Sequence, residues 1–244
     1  MHLTPRINKL VGKAMHTYNM LDDGDSVLIA VSGGIDSLVV TWLLKHWRRK
    51  APIDYQLFAI HLDMGFGTDE HRLVRRELER LEVPFLIEKT TFGKDALLAE
   101  NGKSGCFHCA KKRRNRLFEL AREKGMNKIV FGHHQEDIIE TFFLNLMYGG
   151  NVSTMVPLQS LFNGNLTIIR PLAYLAKSQI IDLGNTLGIT PVANPCPLAE
   201  ESKRVSIRNL LNTLYEDDPR IKSNIFSGLS NIKTDYLLKP TTRG

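Results

Sequence analysis

Cysteine is scarce in this chain: 244 residues hold three, Cys106, Cys109 and Cys196. So small and odd a number is no disulfide framework for a chain this long, which leaves chemistry as the better use for the thiols. No stretch approaches the ~20 consecutive apolar residues of a membrane span, and Met1–Lys13 lacks the apolar core of a secretory signal. The expectation is a cytoplasmic protein with no membrane contact. Neither a repeat nor a low-complexity tract is present, which excludes solenoids and biased segments. The Gly-Lys-Ser/Thr ending of a Walker A loop and the three-glycine dinucleotide fingerprint are missing as well.

What is present is enough apolar sequence, 43% of residues, to bury a sizeable core, which rules out a disordered or fibrous chain. Lys and Arg number 32 against 26 Asp and Glu, a net charge of +6, which favours an anionic partner such as nucleic acid. Apolar strands alternate with amphipathic helices: strand Val27–Val31, a helix carrying Val39, Leu43 and Trp47, strand Gln56–Leu62, a helix near Glu70–Leu81, and strand Phe85–Glu88. A helix near Ala110–Lys124, strand Lys128–Phe131, helix Asp137–Tyr148, strand Ile168–Arg170 and helix Lys177–Leu187 follow. This alternation predicts an α/β fold, a parallel sheet of about five strands covered on both faces, with ligands at the carboxyl ends of the strands. The division expected is residues 1–190 as the α/β domain and 191–244 as a C-terminal segment with the third cysteine and helices near Arg204–Tyr215 and Ile221–Asn231. The tail Pro240–Gly244 is expected to fray.

Ser32-Gly33-Gly34-Ile35-Asp36-Ser37 lies between the first strand and its helix, where free N–H groups and the positive end of the helix dipole hold anions. Gly33 and Gly34 are expected to supply close approach and unusual backbone angles, and Ser32 and Ser37 hydroxyls to reach phosphate oxygens. Asp36 would repel a bare phosphate, so it either caps the helix or holds a Mg2+ that bridges phosphates. Gly132-His133-His134-Gln135-Glu136-Asp137 sits at a second strand-to-helix crossover, with Gly132 expected to admit the ligand and Asp137 to cap or bind Mg2+. His133 and His134 lack the spacing of a zinc-protease motif, and their side chains should point apart.

Cys106-Phe107-His108-Cys109 puts two thiols one turn apart, expected just before a helix whose dipole lowers their pKa. Cys196 falls in a loop between Pro195 and Pro197 that can return to the ligand-binding rim. Three thiolates on a 4Fe-4S cluster leave one iron open to sulfide; the same residues also admit a zinc site completed by His108, a Cys106–Cys109 redox pair, or a persulfide on Cys196. After Cys109, Lys111, Lys112, Arg113, Arg114 and Arg116 offer a basic face for RNA phosphates, or else a solvated helix surface. Lys203, Arg204 and Arg208 form a second, weaker basic group, and Arg170 could orient a substrate carbonyl or sit in a structural ion pair.

Ser32–Ser37 resembles the Ser-Gly-Gly-x-Asp-Ser signature of the PP-loop ATP pyrophosphatases, and Gly132–Asp137 resembles their Gly-His-x-x-Asp-Asp block, with Glu136 where the first acid usually stands. Glu140-Thr141, Leu144-Asn145, Tyr148-Gly149-Gly150 and Arg170-Pro171-Leu172-Ala173-Tyr174 are similar to 2-thiocytidine synthetases. The Cys-x-x-Cys with a downstream cysteine is the pattern of cluster-dependent tRNA thiolases, although many 2-thiocytidine synthetases carry a second Cys-x-x-Cys where this chain has Cys196-Pro197-Leu198-Ala199.

The resemblance implies ATP, Mg2+ and a 4Fe-4S cluster as cofactors, and adenylylation of a tRNA cytidine 2-oxygen followed by its replacement with sulfur. It implies an ATP cradle of Ser32, Gly33, Gly34, Asp36 and Ser37 with Gly132 and Asp137 opposite, His61 at the adenine through its backbone, and Cys106, Cys109 and Cys196 on the cluster. tRNA and a sulfur donor, a cysteine desulfurase or free sulfide, are the implied partners, with a homodimer by analogy. Thiolation of uridine, a PP-loop ligase with an amine nucleophile, and an ATP-binding redox sensor are the competing expectations.

Overall fold

Strand β1 (Asp25–Ala30) runs through Val27, Leu28 and Ile29, all fully buried. Alternation sends Val27 and Ile29 into one core layer and Leu28 into another, so a strand covered on both faces reads as an unbroken apolar run. The computed structural model describes residues 3–67, 69–98, 102–199 and 202–238, without the side chains of 102–104. The Pro240–Gly244 tail, expected to fray, lies outside these residues.

The other strands are β2 (Tyr55–Asp63), β3 (Phe85–Lys89), β4 (Lys128–Val130), β5 (Leu158–Leu161) and β6 (Leu166–Ile169). They form a six-stranded sheet in the order β3-β2-β1-β4-β6-β5, parallel except for β5 against β6. The expectation of about five strands missed β5, a four-residue edge strand whose middle residues, Gln159 and Ser160, are polar and exposed.

The helices are α1 (Pro5–Thr17), α2 (Ile35–Arg48), α3 (Glu70–Leu81), α4 (Phe92–Leu98), α5 (Gly102–Glu123), α6 (Gln135–Gly149), α7 (Lys177–Thr186), α8 (Lys203–Asp217) and α9 (Arg220–Gly228). The larger core layer joins Val27 and Ile29 to Val39 and Leu43 of α2, Leu78 of α3 and Leu183 of α7. On the opposite face Leu117, Leu120 and Ala121 of α5, the stripe expected from the sequence, pack with Leu28, Ile60 and Ile129. A third, small cluster of Ile139, Ile207 and Leu211 docks α8 on α6.

The chain order reverses direction between β1 and β4, and at such a switch point the loops beyond neighbouring strands diverge to leave a crevice at the carboxyl edge. The loops after β1 and β4 are the Ser32–Ser37 and Gly132–Asp137 segments. Sheet topology alone therefore brings the two sequence motifs together.

Candidate active site

A cleft of about 380 Å3 opens at this switch point, with Ser32, Gly34, Asp36 and Ser37 on one side and Gly132, His133 and Asp137 on the other. His61, Asp63 and Met64 at the end of β2 form its flank. The side chain of His61 is buried, and its Nδ1 donates to the Val31 carbonyl at 2.8 Å, tying the end of β2 to the start of the phosphate loop. Burial holds its pKa below the usual histidine value, so the ring is neutral.

The serines of the loop first shape the loop itself. Ser37 Oγ donates to the Gly34 carbonyl at 2.8 Å, and the Gly34 N–H donates to Ser32 Oγ at 3.3 Å. Gly33 has a φ of +91°, and a Cβ there would lie 2.9 Å from Val74 Cγ2. Gly34, by contrast, is an extended N-cap with φ −67°, so the unusual angle expected at both glycines is needed at one. Gly132 has a further use beyond the one expected. A Cβ on it would stand 2.9 Å from Asp36 C and Ser37 N, so its smallness lets the two loops touch as well as lining the cleft.

Asp36 does not cap α2; Lys177, at the start of α7, reaches its two oxygens at 2.6 and 2.7 Å. Asp137 does act at its own helix start, accepting from the His134 N–H at 3.0 Å through Oδ2, while Oδ1 lies 3.6 Å from Arg204 Nη1. His133 and His134 point apart as expected. His133 stacks on Phe131 and accepts from Arg170 Nε at 3.2 Å, and burial followed by the charges of Arg170, Arg204 and Arg113 pushes its pKa down to about 3. His134 bonds Glu136 at 2.9 Å; burial works against its charge, but Glu136, Asp137 and Asp36 outweigh it and raise its pKa. Glu136 is held at about 2, since contacts with His134, Lys222 and the Lys177 N–H overcome the cost of its burial. Arg170 is buried with no carboxylate partner among the described residues, which corrects the structural ion pair considered for it; burial lowers its pKa to about 10.

The thiols require a further correction. Cys106 and Cys109 lie inside α5, not ahead of a helix, and the Cys109 pKa is raised, chiefly by burial. The dipole argument failed because the helix begins at Gly102, a full turn before Cys106. Four further charges act on Cys109: Arg113 and Lys112 lower its pKa, and Cys196 and Cys106 raise it, so both other thiols lie within electrostatic reach of it. All are free, and no group of three His, Cys, Asp or Glu among the described residues makes a ready metal cage. The donor set nonetheless fits an iron-sulfur centre. Three soft sulfur ligands that repel one another as thiolates are what a cationic centre neutralises.

The loop bearing Cys196 is fastened to the phosphate loop. The Val192 N–H donates to the Gly33 carbonyl at 2.9 Å, and Ala193, Asn194 and Pro195 line the cleft. Asn194 Oδ1 in turn accepts from the Cys196 N–H at 3.1 Å.

Of the five basic residues expected to meet RNA, Arg113 lines the cleft, and Lys111 and Arg114 are exposed. Lys112 pairs with Asp95 at 3.2 Å. Arg116 is a structural strut: Glu88 takes its Nε and Nη2 at 2.6 and 2.8 Å, and Glu119 and Glu123 take Nη1, so the RNA contact expected of it has its donors already engaged. Lys177 and Lys222 were not identified as site residues from sequence, since a lone lysine at a helix start carries no motif.

A family model described as a PP-loop domain matches residues 2–214. The chain belongs to the PP-loop family. Among its relatives in this family are the tRNA-cytidine(32) 2-sulfurtransferase of Pelobacter propionicus, 35% identical over 98% of this chain and 90% of the relative, and that of Alkalilimnicola ehrlichii, 35% identical over 96% and 76%. The fold is similar to the U34-tRNA thiolase NcsA from Methanococcus maripaludis with its 4Fe-4S cluster, at a TM-score of 0.77 and 22% identity, over 98% of this chain and 83% of that one. An NAD+ synthetase from Burkholderia pseudomallei matches more distantly, at a TM-score of 0.53 and 19% identity over 95% and 88%. No helix among the described residues is long and apolar enough to cross a membrane.

Proposed function

We propose that this PP-loop protein is an ATP-dependent tRNA sulfurtransferase that converts a tRNA cytidine to 2-thiocytidine. The observation that carries the reading is the shared loop: Val192–Cys196 bonds to the phosphate loop at one end and brings the third thiol beside Cys109 at the other. Nucleotide activation and sulfur delivery thus have a common edge.

In this reading adenosine lies against the ends of β1 and β2 beside His61, and the triphosphate meets the N–H groups of α2, which have no partner within their helix. Asp36 and Asp137 would hold Mg2+, with Lys177 offsetting the charge of Asp36 in its absence. The cytidine 2-oxygen attacks the α-phosphorus, and diphosphate leaves. Sulfide then bonds to C2, the C–O bond breaks, and AMP departs with the oxygen. A 4Fe-4S cluster on Cys106, Cys109 and Cys196 supplies, when bound, an iron without a protein ligand where external sulfide can be held. Arg113, between the thiols and the cleft, faces the anionic groups that pass between them. Lys111 and Arg114 offer phosphate contacts that position tRNA without reading sequence. The target base must be unstacked to enter, which suits a single-stranded loop.

The reading includes a cytoplasmic location, a cysteine desulfurase or free sulfide as donor, and a homodimer. A second copy would cover the exposed apolar side chains of Met147, Tyr148 and Val152.

Arg113→Ala is expected to lower tRNA-dependent AMP formation about tenfold or more, the scale for losing a hydrogen bond to a charged group, while ATP affinity changes much less. Single-turnover assays with labelled ATP, tRNA and sulfide make the comparison. Equal AMP formation by the variant would remove Arg113 from the transfer path, and AMP release without any need for tRNA would sink the sulfurtransferase reading.

A further inference from the structure

A second cleft, of about 410 Å3, adjoins the first and shares Asp36 and Asp137 with it. Its far wall comes from the C-terminal helices through Arg208, Tyr215 and Lys222. Nothing in the thiolation chemistry above calls for these residues. Yet α8 and α9 turn three polar groups toward the carboxylates of the nucleotide site.

The groups form a chain of exchangeable contacts. Lys177 holds Asp36, Lys222 holds Glu136, and Arg208 holds Glu140 at 2.7 and 3.2 Å, with Arg204 adding 3.1 Å to Glu140. The lining carboxylates Asp36, Glu136, Asp137 and Glu140 thus face Lys177, Arg208 and Lys222, with His134 beside them and Arg204 reaching Asp137 and Glu140 from outside the lining, so the charges largely offset at rest. One group stays unsatisfied: the Tyr215 hydroxyl is buried without a hydrogen-bond partner among the described residues. Burial and the neighbouring Glu136 and Glu140 push its pKa up to about 12, so it is a proton donor in waiting and never a phenolate near neutrality. A buried donor without an acceptor costs stability, and a phosphate oxygen would satisfy it.

A divalent cation on Asp36 and Asp137 changes the balance. It would replace Lys177 as the counter-charge of Asp36, freeing that lysine for an anion, and would shift the cleft toward positive charge. We infer that this second cleft is a receiving site for the inorganic diphosphate leaving group, gripped by Lys177, Arg208, Lys222 and the Tyr215 hydroxyl. The inference rests on the ATP reading of the first cleft. Diphosphate is favoured over an RNA phosphodiester because the cleft shares Asp36 and Asp137 with the loop where diphosphate is released.

The test is calorimetric titration of the full chain with pyrophosphate, with and without Mg2+, and separately with AMP. Wild type, Lys222→Met and Tyr215→Phe are compared. Pyrophosphate should bind tightly only with Mg2+, and its affinity should fall about tenfold or more in Lys222→Met and about threefold or more in Tyr215→Phe, the scale of charged and neutral hydrogen bonds to an anion. AMP affinity should stay within about twofold in both. Tyr215→Phe removes a hydroxyl that has no partner among the described residues, so its folding should survive even if Lys222→Met does not fold. Pyrophosphate affinity unchanged in the folded variants, or pyrophosphate displaced by tRNA but not by ATP, would overturn the inference while leaving the ATP reading in place. Wild type that binds neither AMP nor ATP would instead remove that reading, and this inference with it.

Discussion

Asp36→Asn should cut tRNA-dependent AMP formation by at least about 100-fold and raise the Mg2+ concentration needed for half-maximal rate. Removal of a group that merely supports a metal ligand already costs about 10–100-fold, and Asp36 is placed here as a ligand itself. Asparagine keeps the size and one oxygen but loses the charge that both Lys177 and the metal require. The fold should tolerate the change. Asp36 is partly exposed, and its pair with Lys177, 38% exposed, is of the solvent-screened kind that contributes little to stability. A variant with full activity and an unaltered Mg2+ profile would remove the metal role from Asp36.

Gly132→Ala should be a strongly damaging one-carbon change in the nucleotide site. The added methyl would meet the backbone of Asp36 and Ser37 at 2.9 Å, and backbone inside a loop–helix junction cannot rotate aside as a side chain can. Overpacking of this kind costs about 1–3 kcal/mol, and the strain falls on the N–H groups that should cradle phosphate. ATP affinity should therefore fall further than stability, by tenfold or more for each ~1.4 kcal/mol of lost binding. Gly12→Ala in α1 is the control: nothing lies within 4 Å of its Cβ position, and alanine there should be neutral or stabilising by up to ~1 kcal/mol. Urea unfolding and ATP titration of both variants separate the effects. Wild-type ATP affinity in Gly132→Ala would show that the contact between the two loops is dispensable.

The fold was legible wherever a pattern is local. The apolar spacing of Val74, Leu78 and Leu81 marks α3, whose bounds agree with the sequence reading. The continuous apolar runs of β1 and β4 announce strands covered on both faces. The Pro5–Thr17 helix carried its own signals in Thr4, Pro5 and the buried series Ile7, Val11 and Ala14, but the segment was read only for a leader. Strand β5 gave no signal, because a short polar edge strand is defined by its partner and not by its composition.

The site divides the same way. The Ser32–Ser37 and Gly132–Asp137 motifs are contiguous, and their meeting follows from strand order. What the sequence concealed is pairing at long range: Lys177 on Asp36 is 141 residues distant, and Lys222 on Glu136 is 86. The Cys109 environment was misjudged for a similar reason, since burial by distant elements outweighs a helix dipole that starts too early to matter. Arg116 shows the converse. Five basic residues among six look like one surface, until Glu88 from a separate strand claims one of them.

The most direct test of the central claim, that ATP chemistry and a three-thiol iron-sulfur centre share one edge of this fold, is metal and sulfide analysis. The full chain and Cys196→Ala would be purified and reconstituted under strict anaerobiosis, and iron, acid-labile sulfide and zinc measured per chain. The account predicts about four irons and four sulfides in the native protein, with the cluster lost or destabilised in the variant. Zinc near one per chain without iron, or a cluster indifferent to Cys196, would contradict it and leave an ATP-dependent ligase with another nucleophile as the better description.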